Sequence, residues 1–291
     1  MRTVKEKLFK HKKQYFIMVE IYETGISAVD DNMMGGFYPG IMSSIFGEPN
    51  IGKSVLCMQL AYKWAGEGKK VVYFDTEGMP SMQQVFWGQK FKERFNTDKE
   101  PTFITVRNPE KLFNILGRDF SYEVDKESGK IGRIAIIKKN IDRRKKDQSD
   151  PNILVRENPD IVIIDSFSFI TKASIGSMTS ILPARADIEA KLLAIFGEWM
   201  DDGGKFLLMT HHISKNPTNP QDVGSIEGGN FVKYSSKVII HLHHGNKEDR
   251  ESFGQSYRRI RFVRKPVMSA EDSEYKWFGL QLKQDYGFTE I

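Results

Sequence analysis

Gly47-Glu48-Pro49-Asn50-Ile51-Gly52-Lys53-Ser54 is the stretch on which the reading of this chain turns. The apolar run Ile41 to Phe46 stands before it and predicts a buried strand; Val55 to Ala61 stands after it and predicts a helix. Strand, glycine loop and helix in that order make a phosphate loop. The glycines let successive N–H groups turn inward on phosphate oxygens, and the helix start adds its partial positive charge at the same point. Gly47, Glu48, Pro49, Asn50, Ile51, Gly52, Lys53, Ser54 and Val55 are therefore the candidate nucleotide contacts. Lys53 would reach the β- and γ-phosphates and the Ser54 hydroxyl would ligate Mg²⁺. A glycine-rich turn ahead of an ordinary helix is the competing reading, and the flanking strand and helix argue against it.

With 291 residues the chain can bury a sizeable core, and no Pro/Gly/Ser-rich linker divides it, so one large domain is expected. No stretch approaches the ~18 apolar residues of a membrane span, and no signal-peptide run follows the N-terminus, which points to a cytoplasmic protein without membrane contact. A single cysteine, Cys57, excludes an internal disulfide and a cysteine-based zinc site. Lys and Arg total 43 against 38 for Asp and Glu, a net charge of +5. That balance permits nucleic-acid binding without requiring it, so clustering decides.

Residues 1 to 14 are basic and aperiodic and read as a short arm, and the remainder, 15 to 291, reads as one core. From Ile41 onward strands and helices alternate, which predicts a parallel sheet covered on both faces. Strands are expected at Lys70 to Phe74, Thr102 to Val106, Asp160 to Ser166 and Lys205 to Thr210, with helices at Ser81 to Phe95, Pro109 to Leu116 and Ala184 to Met200. The β-branched run in Asp160 to Ser166 marks a strand buried on both faces. Another strand is expected at Tyr15 to Ile21, and three β-rich runs close the chain at Val238 to His243, Tyr257 to Val263 and Tyr275 to Leu282. An insertion at about 118 to 158 breaks the alternation with a hairpin and the densest basic run, which includes Arg143, Arg144, Lys145 and Lys146. Those four are candidate nucleic-acid contacts, with a solvated loop as the alternative.

Ligands of open α/β sheets sit at the carboxyl edge of the strands. Asp165 ends an apolar strand and suits a carboxylate that holds Mg²⁺ through water, the alternative being a helix-capping aspartate. Glu77 ends another strand and could accept a proton from an attacking water. Thr210-His211-His212 ends a third, where a side chain could sense the γ-phosphate. A zinc site built from these histidines with His241, His243 and His244 lacks helical ligand spacing and a carboxylate motif.

This order of pieces resembles the RecA-type recombinase and ATPase superfamily, and within it the archaeal RadA group and its short paralogues. The resemblance rests on Thr24-Gly25, Val29-Asp30, Gly35-Gly36, the phosphate loop, Asp75 to Gly78, Glu93 to Phe95, Asp165-Ser166, Leu182 to Arg185, Thr210 and Gly228 to Asn230, and covers roughly Glu23 to Leu282 apart from the insertion. It implies an α/β RecA-like P-loop core: a mostly parallel twisted sheet, helices on both faces and a C-terminal β-hairpin extension. It further implies ATP and Mg²⁺ as ligands, Lys53 and Ser54 at the phosphates and metal, Glu77 as the catalytic carboxylate and Asp165 as the second acid. Two mobile loops of such proteins contact DNA. Lys172 and Arg185 fall at one, Lys215 and Asn216 at the other, and plain surface connections remain the alternative for both.

Two positions depart from the family pattern. His212 stands where a glutamine usually senses the γ-phosphate, and imidazole changes charge near neutral pH. Arg264-Lys265-Pro266 replaces an Asp-Ser-Pro segment, and these cations could act on the nucleotide of an adjacent subunit. The expected function is ATP-dependent, DNA-binding work in homologous recombination or repair, with DNA-stimulated ATP hydrolysis. The expected partners are single-stranded DNA, with double-stranded DNA second, and further copies of the chain in a ring or filament. A KaiC-like regulatory ring ATPase and a DnaB-like helicase motor are the alternatives.

Overall fold

The computed structural model describes residues 20–79, 81–124, 131–139, 150–175, 182–214, 224–265 and 277–291. The basic arm, most of the strand expected at Tyr15 to Ile21, the run Arg143 to Lys146, and Lys215 and Asn216 lie outside these residues.

In chain order a short helix α1 (Ser27–Asn32) precedes β1 (Met42–Gly47), α2 (Lys53–Gly66), β2 (Val71–Asp75), α3 (Ser81–Phe95), β3 (Thr102–Thr105) and α4 (Pro109–Ile115). The insertion follows as β4 (Arg118–Val124), β5 (Ile131–Lys138) and the single turn α5 (Ile153–Arg156). Alternation then resumes with β6 (Ile161–Asp165), α6 (Phe167–Ile175), α7 (Leu182–Met200) and β7 (Phe206–His211). A two-residue pair, β8 (Ile213–Ser214) and β9 (Ser225–Ile226), leads to α8 (Gly229–Ser235), β10 (Ser236–His244) and α9 (Lys247–Phe253). The chain ends in β11 (Tyr257–Arg264), β12 (Phe278–Lys283) and β13 (Gly287–Thr289).

Nine strands form one sheet in the order β13-β12-β11-β10-β1-β7-β6-β2-β3. The pairings of β10, β1, β7, β6, β2 and β3 are all parallel, and β11 to β13 add antiparallel strands at one side. Every residue of β2, β6 and β7 is buried, as a sheet covered on both faces demands. Alternate residues serve opposite cores. Tyr73, Ile163 and Leu208 pack with Leu56, Met58 and Leu60 of α2, whereas Phe74, Ile164 and Met209 pack with Ile188, Leu192 and Phe196 of α7. Each such buried side chain contributes roughly 1.5–3 kcal/mol, so the centre of the sheet is the rigid platform on which the loops at its carboxyl edge are held.

The hairpin β4–β5 forms a separate two-stranded antiparallel sheet. It is anchored by Phe120 stacked on Phe113 of α4, with ring centroids 5.2 Å apart, and by Lys191 of α7, whose Nζ donates to the Ile134 carbonyl at 3.2 Å.

Two details differ from the sequence expectation. The closing extension is a three-stranded antiparallel meander rather than a hairpin, because Gly287–Thr289 pairs with β12. So short a strand carries no alternation to read; it is held by Gln59 of α2, whose amide exchanges hydrogen bonds of 2.7 and 3.1 Å with the Phe288 backbone. The strand expected to end at Thr210 continues through His211, whose ring is fully buried instead of opening a polar loop. The peptide bond between Asp165 and Ser166 is cis.

Candidate functional site

The loop between β1 and α2 is shaped by backbone geometry that glycine alone accommodates at two points. A Cβ at Gly47 would lie 2.2 Å from the Leu242 carbonyl of β10. Gly52, which caps α2, has φ 107° in the left-handed region, where side chains are strained. Asn50 also turns left-handed at φ 60°, a conformation asparagine tolerates better than most residues. The result is a cradle of backbone amides at the start of a 14-residue helix, the geometry that favours phosphate.

Lys53 is buried, and its Nζ donates to the Gly47 and Glu48 carbonyls at 3.0 and 2.9 Å. Burial draws its pKa down, while the charges of Asp165 and Glu77 resist the shift. Both carboxylates border the same cleft, about 480 Å³ in volume, together with Ser54, Asp75 and His212. The strand ends β1, β2 and β6 and the start of α2 thus bring Lys53, Ser54, Glu77 and Asp165 together on one cleft.

Asp165 is placed by neighbours on both sides. The Tyr73 hydroxyl donates to Oδ2 at 2.7 Å, and the Thr210 hydroxyl donates to Oδ1 at 2.5 Å. Register explains both contacts. Tyr73 pairs with Ile163, so Asp165 is its diagonal neighbour on the same face; Ile164 pairs with Met209, so Thr210 falls beside Asp165. Sequence reading did not find Tyr73, whose only signal is its polar atom in an otherwise apolar strand. Thr76 clamps the same two strand ends, donating to the Ser166 carbonyl at 2.8 Å and accepting from the Ser166 amide at 2.6 Å.

Glu77 meets His212, with Oε1 3.0 Å from Nε2. The hydrogen bond and charge of His212 hold the Glu77 carboxyl below its ordinary range, against the opposing effect of burial and with help from Lys53. The His212 amide donates to the Ser168 hydroxyl at 3.0 Å, and its carbonyl accepts from the Glu227 amide at 3.0 Å. His211 is different in kind. Its Nε2 lies 3.1 Å from the Ser44 hydroxyl, and burial pushes its pKa down to about 3, so it is a neutral core residue. Among the described residues no group of three or more His, Cys, Asp or Glu could hold a metal ion by itself.

The remaining candidates sit away from the cleft. Lys172 and Arg185 are both ion-paired with Glu227, at 2.7 and 3.6 Å. Arg264 lies at the amino edge of the sheet, where β10 begins, and its Nη1 donates to the Ser236 carbonyl at 2.9 Å and to the Lys233 carbonyl. The phosphate loop is at the opposite edge, so the structure does not bring Arg264 and Lys265 to the chain's own Lys53. The family resemblance places Glu227 at the end of the second DNA-contacting loop segment, which begins at Ser214, but nothing in the sequence pairs it with Lys172 or Arg185.

Residues 17–218 match the family model described as AAA domain. The DNA repair and recombination protein RadB of Methanosphaera stadtmanae is 27% identical over 222 residues, 74% of this chain and 78% of that protein. RadB of Methanococcoides burtonii is 35% identical over 79 residues, 27% of this chain and 29% of the relative. The DNA repair protein RadA of Mycolicibacterium smegmatis is 38% identical over 56 residues, 19% of this chain and 12% of the relative. The chain thus spans under a third of the length of two of these relatives and over three quarters of the other. A solved structure, the crystal structure of the RadB recombinase, superposes with a TM-score of 0.60 at 16% identity, covering 93% of this chain and all of that one; this likeness shows the fold. Among the described residues no helix is long and apolar enough to cross a membrane.

Proposed function

The chain belongs to the AAA domain family and to the RecA/RadA-like recombinase and ATPase superfamily, and from that membership we propose an ATP-dependent, DNA-binding protein of homologous recombination or repair. Family membership makes it an ATPase; DNA stimulation of hydrolysis is the proposed refinement. The observation that carries the reading is the convergence of Lys53, Glu77 and Asp165 on one cleft beside a left-handed glycine cap.

Gly47 to Val55 would cradle the phosphates, with Lys53 exchanging its bonds to the loop carbonyls for phosphate oxygens. Ser54, and Asp165 through water, would hold Mg²⁺, which when bound offsets negative charge on the phosphate oxygens. Glu77 would take the proton of the attacking water and His212 would register the γ-phosphate. Arg264 and Lys265, at the far edge of the sheet, would reach the nucleotide of a neighbouring copy, which supports a homo-oligomer. DNA would be met at the loops that carry Lys172 and Arg185, and a cytoplasmic setting accords with that work.

A hydrolysis assay with and without single-stranded DNA tests the reading. Turnover should rise with DNA and be lost in Lys53→Ala. Hydrolysis indifferent to DNA at every salt concentration would count against it.

A further inference from the structure

We infer that Glu227 is an internal counter-anion: it holds Lys172 and Arg185 against the protein, and a change at His212 releases them to nucleic-acid phosphate. This rests on the reading that the loops at this edge bind DNA.

One carboxylate oxygen of Glu227 serves both cations, 2.7 Å from Lys172 Nζ and 3.6 Å from Arg185 Nη2. These cations come from different helices, α6 and α7, and Glu227 precedes a third, so a single acid ties three elements together. Arg185 is only 8% exposed, which is no posture for meeting a polymer. The pairing is also incomplete. Arg185 Nε and Glu227 Oε2 are both buried without a hydrogen-bond partner. Buried charges held with unsatisfied atoms lose much of what their attraction gains, so this pair is poised to open. Beside it lies a cleft of about 410 Å³ whose lining includes Arg185, Lys233, Ser214 and Ser225 together with the acids Glu189 and Glu227. An incoming phosphate there could offer Arg185 the oxygens that Glu227 supplies incompletely, while Lys172, which does not line the cleft, would be freed to meet the polymer beside it.

A physical link runs from this clamp to the hydrolysis site. The Glu227 amide donates to the His212 carbonyl at 3.0 Å. Immediately beyond each residue the chain forms the β8–β9 ribbon, with Ile213 opposite Ile226 and Ser214 opposite Ser225. The His212 ring meets Glu77 at 3.0 Å. A ring that leaves Glu77 for a γ-phosphate oxygen pulls on its own carbonyl, and so on the Glu227 backbone. Gly228, at φ 118°, gives the chain a left-handed pivot directly after Glu227.

The test is anisotropy of a labelled oligo-dT over a range of salt, using the full chain as wild type, Glu227→Gln and Glu227→Gln/Lys172→Gln, each without nucleotide and with a non-hydrolysable ATP analogue. Without nucleotide, Glu227→Gln should bind roughly tenfold tighter than wild type, as when about one molecule in ten is open before the change. Its salt slope should stay close to that of wild type, because both reach the same phosphate contacts once open, and should flatten by roughly 0.7 when Lys172→Gln removes one of them. Adding Lys172→Gln should also reverse part of the gain in affinity. If wild type tightens with the analogue but nucleotide-free Glu227→Gln matches nucleotide-free wild type, the clamp is overturned and the DNA reading stands. If wild type binds no DNA in either state, both fall. A readout on unaltered protein guards against a variant that fails to fold: acetylation of Lys172, followed by mass spectrometry, should speed up with the analogue, and an unchanged rate overturns the proposal.

Discussion

Tyr73→Phe removes one atom from the floor of the site and leaves the ring in place. The hydroxyl donates to Asp165 Oδ2 at 2.7 Å, and both residues are buried. The ring keeps its neighbour Phe103, with centroids 5.0 Å apart, so no cavity of consequence opens. The cost is therefore that of a hydrogen bond to a charged group, about 1.5–3 kcal/mol, and a melting temperature lower by several degrees for a chain of this size. The functional consequence is distinct. Thr210 still holds Oδ1 at 2.5 Å, so the carboxylate keeps one anchor and gains freedom to rotate about it. Loss of such an outer partner typically costs roughly 10–100-fold in metal affinity or activity. Titrating Mg²⁺ in an ATP hydrolysis assay should show a half-maximal concentration raised roughly tenfold or more, with Tyr73→Phe still folded by circular dichroism. A variant that melts lower but needs no more Mg²⁺ would refute the argument, because the hydroxyl would then serve the fold alone.

Gly47→Ala brings a Cβ to 2.2 Å from the Leu242 carbonyl; a loss of about 1–3 kcal/mol in urea unfolding is expected, together with loss of nucleotide binding. The pH dependence of His212→Ala follows from the depressed Glu77 carboxyl. A group whose pKa is lowered on folding lends stability above its unfolded value and loses it as pH falls through the folded one. The melting-temperature gap between wild type and His212→Ala should therefore be present at neutral pH and shrink below the ordinary carboxylate range; a gap that grows on acidification would contradict the pairing. Arg264→Ala removes the donor to the Lys233 and Ser236 carbonyls at the end of α8, so it should cost about 1 kcal/mol in thermal or urea unfolding. If Arg264 also acts on a neighbour's nucleotide, hydrolysis should fall further than this loss of stability explains at matched temperature.

The phosphate loop, the buried strands and the helix Leu182–Met200 were legible in the sequence because each is fixed by a short-range rule: a motif spacing, a β-branched run, an apolar period. Lys53, Ser54, Glu77 and Asp165 stood out for the same reason: the first two belong to the phosphate-loop spacing at the start of α2, and the other two stand at or just beyond the ends of strands that the pattern locates. The closing strand Gly287–Thr289 was not, because three residues have no period and this segment is held by Gln59, 229 positions away. Tyr73 was hidden as well, since its role depends on which strand lies beside it and in what register. Glu227 shows the limit most plainly. Sequence marks it only as the end of a loop segment, and its meaning comes from cations on two helices and a carbonyl at His212 that tertiary structure alone brings within reach. The sequence by itself determined the chemistry of the phosphate loop, through local backbone geometry and residue type. Tertiary structure decided which groups hold Asp165 in place, which acid holds the loop cations, and that Arg264 faces away from its own chain's Lys53, because each is a contact between residues far apart in the chain.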